Sequence, residues 1–188
     1  MTMPKPLLLS LIFTLSIFAG AQEKNACPLH EQHMREAARA SSHDQYADSA
    51  ADDKFTAMKA RGAQAMGFDQ DATTHHFLLR PDGGVIQVTA NQSEDERTTN
   101  AVRHHLRQIQ DQFAKGDFQA PFQTHAEVPD GVAEMKAHAS AIEYAYQEVP
   151  GGAKVLIRTK DPEALRAVHA FFKYQIQEHR TGDPAEAK

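Results

Sequence analysis

Pro81-Asp82-Gly83-Gly84 joins Thr74-His75-His76-Phe77-Leu78-Leu79-Arg80 to Val85-Ile86-Gln87-Val88-Thr89. The same arrangement returns as Ala141-Ile142-Glu143-Tyr144-Ala145-Tyr146, then Val149-Pro150-Gly151-Gly152, then Lys154-Val155-Leu156-Ile157-Arg158. Each is a pair of short apolar, β-branched or aromatic runs around a Pro/Gly turn, which reads as a β-hairpin. Each hairpin leads into a helical stretch that closes on Gly-Asp, at Gly116-Asp117 and at Gly182-Asp183. The interval from Gly83 to Gly151 nearly equals the interval from Gly116 to Gly182, with only a small slip between them. Self-similarity at a fixed spacing predicts an internal duplication of a strand–strand–helix unit. Two such units predict an α+β fold: a four-stranded antiparallel sheet with two helices on one face. The groove between the helices, or the bare face of the sheet, is where a site is expected.

The helices carry their own punctuation. Ser93-Glu94-Asp95-Glu96 has the pattern of a capping box, with Ser93 as N-cap and Glu96 three residues on. Val102, Leu106, Ile109 and Phe113 then fall on one stripe. Gly116 suits the left-handed position just past a helix end. In the second unit Asp161-Pro162 is an N-cap followed by proline at the first helical position. Leu165, Val168, Phe172 and Ile176 form the second stripe, and Gly182 is the expected stop. Between the units, Phe118 to Ser140 contains Pro121, His125 and Pro129-Asp130-Gly131 and reads as loop, with a short helix over about 132–139.

Upstream, Lys5, the apolar run from Leu7 to Phe18 and the small residues Ala19-Gly20-Ala21 have the pattern of a secretory signal peptide over 1–21. Residues 22–70 read as an arm, helical or partly disordered, with a weak helical pattern at 48–60 limited by Arg61-Gly62 and Gly67. The duplicated domain is expected over 71–183 and a tail over 184–188. The expected location is the periplasm or the exterior, with no stable membrane insertion once the leader is removed.

The chain has 20 Lys and Arg against 25 Asp and Glu, and removing the leader takes away only Lys5, leaving a net charge of −6. That balance argues against nucleic acid or an anionic membrane as partner. Two counts stand out: one cysteine and eleven histidines. A lone cysteine in an exported chain is a free thiol, half of an intermolecular bridge, or a ligand.

Three groups of side chains can carry chemistry. Cys27, His30 and His33 lie on neighbouring faces of one helical turn and suit copper or zinc by softness, with haem iron a weaker fit; alternatively they face water. His75 and His76 open the first strand, where adjacent side chains point to opposite faces, so one buried and one exposed imidazole is the expected outcome. His105, His169 and His179 lie on or beside the apolar stripes, and His125 sits in the long connection, able to fold back on the pair. A half-buried imidazole needs a hydrogen-bond or metal partner. No nucleophile elbow, phosphate loop, dinucleotide fingerprint or His-Glu-x-x-His motif is present in the sequence.

Thr73-Thr74-His75-His76-Phe77, the Gly83-Gly84 hairpin, Gly116-Asp117-Phe118 and Glu178-His179-Arg180-Thr181-Gly182-Asp183 together resemble a group of exported bacterial proteins. The resemblance covers about residues 70–183 and implies export from a bacterium, with no activity attached.

The functional expectation is an exported, histidine-rich protein that sequesters or handles copper or zinc. Its ligands would come from Cys27, His30, His33, His75, His76, His105, His125, His169 and His179. The alternative is an interaction module for a small ligand, haem or a protein partner. An enzyme would need an open coordination position plus an acid or base, and the sequence names no such set.

Overall fold

The computed structural model describes residues 50–92 and 94–187. The leader and Cys27, His30 and His33 lie outside the described residues, as does Ser93.

Helix α1 occupies residues 50–66. A 3-10 turn, Gln70–Ala72, leads into β1 (Thr73–Arg80), β2 (Gly83–Ala90) and α2 (Glu96–Ala114). Two short helices follow, α3 (Gln119–His125) and α4 (Val132–Ala137), then a second 3-10 turn, Ala139–Ala141. The chain closes with β3 (Ile142–Val149), β4 (Gly152–Thr159) and α5 (Pro162–Glu178). The fold is α+β. All four strands join one antiparallel sheet in the order β1-β2-β4-β3, so the second strand of each hairpin meets the other in the middle. Among the described residues no helix is long and apolar enough to cross a membrane.

The register has a centre. Phe77 pairs with Ile86, Ile86 with Val155, and Val155 with Tyr146, one row across the whole sheet. The shift that lays Thr73 of β1 on Ile142 of β3 also lays Gly83 of β2 on Gly152 of β4, and it carries Phe77 onto Tyr146 and Ile86 onto Val155. The same shift relates the links at the strand ends. Ala90 donates its N–H to Gly151 O at 2.9 Å, and Thr159 donates to Asp82 O at 2.9 Å. A Cβ on Gly83 would lie 2.0 Å from Ile157 O, and one on Gly152 the same distance from Val88 O, so both hairpins need glycine where the two central strands approach.

One hydrophobic core joins the sheet to both long helices. Phe77, Leu79, Ile86, Val88, Val155 and Ile157 from the strands meet Val102, Leu106 and Phe113 of α2 and Val168, Phe171 and Phe172 of α5. Gly84 lets this layer close, since a Cβ there would meet the Phe172 ring at 2.5 Å.

Several local expectations shift. The N-cap of α2 is Asp95, whose carboxylate accepts from Thr98 N at 2.9 Å, not Ser93. Either residue offers a short oxygen side chain, and Asp95 adds a negative charge at the helix N-terminus. Asp161 caps α5 as expected, accepting from Glu163 N and Ala164 N, with Pro162 at the first helical position. That helix stops before Gly182: it ends at Glu178, and Arg180 takes the left-handed turn at φ 50°. On α5, Leu165 is only partly buried, and Ala164, Ala167, Phe171 and Gln175 widen the inward face. The helix at 50–66 runs past Arg61-Gly62 to the left-handed Gly67. A Cβ at Gly62 would lie 2.4 Å from Gln70 Nε2, so this glycine is a packing contact and not a stop. Finally, α3 replaces expected loop, with Pro121 tolerated in its first turn.

Asp183 ties the C-terminal segment to β1. Its carboxylate accepts the Phe77 N–H at 2.9 Å and lies 2.9 Å from His76 Nδ1.

Candidate functional site

Inward and outward positions alternate along β1, so His75 shares the inner face with Phe77 and Leu79 while His76 turns the other way, to Asp183. Opposite His75, the end of α5 delivers His179 and the end of α3 delivers His125. His105 comes from the inward face of α2. All four imidazoles line one cavity of about 60 Å³, with walls formed by residues including Met66, Phe77, Ile86, Leu106, Phe113 and Phe171.

The rings form a continuous series. His105 meets Phe68 edge-on at 5.7 Å, Phe68 stacks on His75 at 6.1 Å, and His75 stacks on His179 at 5.8 Å with planes 14° apart. His179 meets His125 edge-on at 5.1 Å and lies 5.3 Å from Phe77.

Helix α3 is held in place from α1. Arg61 donates from Nε to Thr124 O at 3.0 Å and from Nη2 to His125 O at 3.4 Å, satisfying carbonyls at the end of the short helix. His125 Nε2 pairs with Gln175 Oε1 at 3.1 Å. Outside the cavity, Lys54 bridges Glu127 and Glu178, and Tyr174 donates to Glu127 at 2.7 Å. The charged groups therefore sit on the rim and none lines the cavity.

Burial sets the protonation of the four rings. It pushes His75 and His105 down to about 4, aided by neighbouring histidines: His76 for His75, and His75 and His104 for His105. Burial also holds His179 well below the ordinary imidazole value, with His75 and His125 adding to the effect. His125 is lowered by burial, opposed by its bond to Gln175. All four are neutral at pH 7, the state in which a ring nitrogen has a free lone pair.

Three of those rings have a nitrogen with nothing to bond. Among the described residues, His75 Nε2, His125 Nδ1 and His179 Nδ1 are buried without a hydrogen-bond partner, as is Gln175 Nε2. A buried polar atom in that condition costs about 1–3 kcal/mol. Among the described residues, no three His, Cys, Asp or Glu side chains stand together so that they could hold a metal ion as the rings are now placed.

His76 and His169 are not brought to this cavity. His169 Nε2 lies 2.9 Å from Arg80 O, at the hairpin end of β1. Gln175, Met66 and Phe68 complete the site, and the sequence reading does not single them out. Gln175 had a signal: laying Gly116 on Gly182 places Val102, Leu106, Ile109 and Phe113 on Val168, Phe172, Gln175 and His179. Two apolar positions of the first helix thus carry polar groups in the second, both on the cavity wall. His105 maps by the same alignment onto Phe171, which also lines it.

Comparison with known proteins gives no matching family model, no matching curated protein and no matching solved structure.

Proposed function

We propose that this is an exported protein whose cavity holds a transition metal ion, copper or zinc, with His75, His125 and His179 as ligands. The observation that carries this is three neutral imidazoles from three separate elements, His125 buried and His75 and His179 half-buried, each with a buried nitrogen that has no partner among the described residues, on one cavity wall. Scale supports it. With metal–nitrogen bonds of about 2.0 Å and roughly 1.1 Å from nitrogen to ring centre, two imidazoles on one tetrahedral ion have centres about 5 Å apart. His125 and His179 stand at 5.1 Å and His75 and His179 at 5.8 Å. Binding then requires the three rings to turn toward a common point in the cavity.

Size supports an ion at this site. A cavity of about 60 Å³ takes an ion or a few waters, whereas small-molecule pockets run to about 300–1,000 Å³.

The reading includes the architecture behind the cavity: a duplicated strand–strand–helix unit, both helices on one sheet face, with the site on the seam between them. The register centred on Ile86 and Val155 and the paired glycine contacts support duplication. The role is sequestration or handling of the ion, in the periplasm after removal of residues 1–21.

The test is metal content of the untagged protein by elemental analysis, followed by thermal unfolding with added Zn(II) or copper. Ligand at a hundredfold excess over Kd stabilises by about 2.7 kcal/mol, a rise of several degrees in Tm. One equivalent of metal and that rise, both lost in His179→Gln, are expected. An unchanged Tm with every ion tried would leave water as the occupant of the cavity and end the proposal.

A further inference from the structure

The cavity is unusual in what its wall lacks. Among the described residues, its lining contains no carboxylate, thiolate, ammonium or guanidinium group. The donors it offers are neutral imidazoles, the thioether of Met66 and the uncharged oxygens of Thr124 and Gln175, which are engaged with Ala120 O and His125 Nε2, all set among Phe77, Ile86 and Leu106. From this donor set, and resting on the metal-binding reading above, we infer that the site is selective for monovalent copper over divalent ions.

Charge is the first reason. The cost of taking an ion from water into an apolar surrounding grows with the square of its charge, so a divalent ion pays roughly four times what a monovalent one does. Sites for divalent zinc and calcium commonly recover part of that with carboxylate or thiolate ligands. Here no anionic group lies on the wall to do so. Glu127 and Glu178 are engaged by Lys54, and Asp71, in the cleft beside His75 and His179, is engaged by Lys59.

Donor softness is the second. Thioether sulfur favours Cu(I), while imidazole accepts copper and zinc alike.

Access is available from a second, polar cleft. Phe55, Lys59, Gln70, Asp71 and Thr181 line it, and it shares His75 and His179 with the inner cavity. The stacked pair therefore stands between the polar cleft and the apolar chamber, and an ion arriving from outside meets these two rings before His125.

The experiment uses the full chain with Cys27→Ser, so that the N-terminal thiol does not compete. Under anaerobic conditions Cu(I) affinity is read by competition with bicinchoninate, and Zn(II) affinity by competition with a chromophoric zinc chelator. One equivalent of Cu(I), held at least a hundredfold more tightly than Zn(II), is expected. Met66→Leu should weaken Cu(I) about tenfold and leave Zn(II) unchanged. Zn(II) bound as tightly as Cu(I), or Cu(I) binding indifferent to Met66→Leu, overturns the selectivity and leaves the metal site standing. Failure to bind either ion removes the metal site itself. Cu(I) binding that survives His179→Gln places the copper elsewhere in the chain and overturns both.

Discussion

His125 and His179 meet edge to face, ring centres 5.1 Å apart and planes at 89°, although one lies midway along the chain and the other near its end. The first comes from a short helix and the second from the cap of α5, and both have an unpartnered Nδ1. His179 is therefore the more informative place to intervene. His179→Leu removes a half-buried imidazole whose buried Nδ1 has no hydrogen-bond partner among the described residues. The metal-free protein should unfold at the same temperature or a few degrees higher, while any metal-dependent rise in Tm disappears. A fall of more than about 2 kcal/mol in metal-free stability would mean that the ring's packing outweighs the cost of its orphaned nitrogen.

Acid should destabilise the metal-free protein well above the carboxylate range. His75 and His105 titrate near 4 in the folded state and near 6.5 in the unfolded chain. The unfolded state thus binds more protons between those values, and stability present above pH 6.5 is lost as pH falls toward 4. The slope is at most about 1.4 kcal/mol per pH unit for each ring. Urea midpoints at pH 7.5 and pH 5 measure it, and equal midpoints would contradict the burial of these rings.

Asp183→Ala removes both the acceptor of the Phe77 N–H and the partner of His76. The loss should cost about 1–3 kcal/mol, because the amide is left without its bond. Asp183→Asn keeps one carbonyl acceptor and should recover part of it. Chemical denaturation of the three proteins orders them: native, Asn, Ala.

Gly83→Ala and Gly152→Ala should be comparably damaging, since each places a Cβ 2.0 Å from a carbonyl of the opposite central strand. Overpacking of this kind typically costs about 1–3 kcal/mol. Gly116→Ala is the useful contrast: nothing lies within 4 Å of its Cβ, and only its φ of +72° opposes the change. A tolerant Gly152 beside an intolerant Gly83 would contradict the like contacts of the two glycines.

The strands and long helices can be read from the sequence because their signals are local. Turn residues at Pro81-Asp82 and Pro150-Gly151, the Asp161 cap and the helical stripes all act within a few positions. Elements without such a signal escape that reading. Helix α3 holds a proline and no side-chain cap, and its C-terminal carbonyls are satisfied by Arg61, far earlier in the chain. Gly62 reads as a stop because sequence alone cannot show that Gln70 presses on it. The cavity is legible only as a surplus of histidine. Which imidazoles converge depends on where α3 and the end of α5 dock, and nothing near His125 or His169 tells the first from the second. The one available clue is the mismatch between stripes, with Gln175 and His179 standing where Ile109 and Phe113 stand in the first unit.

The carboxylate of Asp183 also occupies a hydrogen-bonding position that a strand from another molecule would otherwise claim. β1 is an outer strand of the sheet, and the Phe77 N–H points away from β2 into that carboxylate. Outer strands with free amides recruit neighbours edge to edge. Losing this contact would therefore do more than loosen one molecule: it would expose a template for aggregation, visible in light scattering before unfolding is complete.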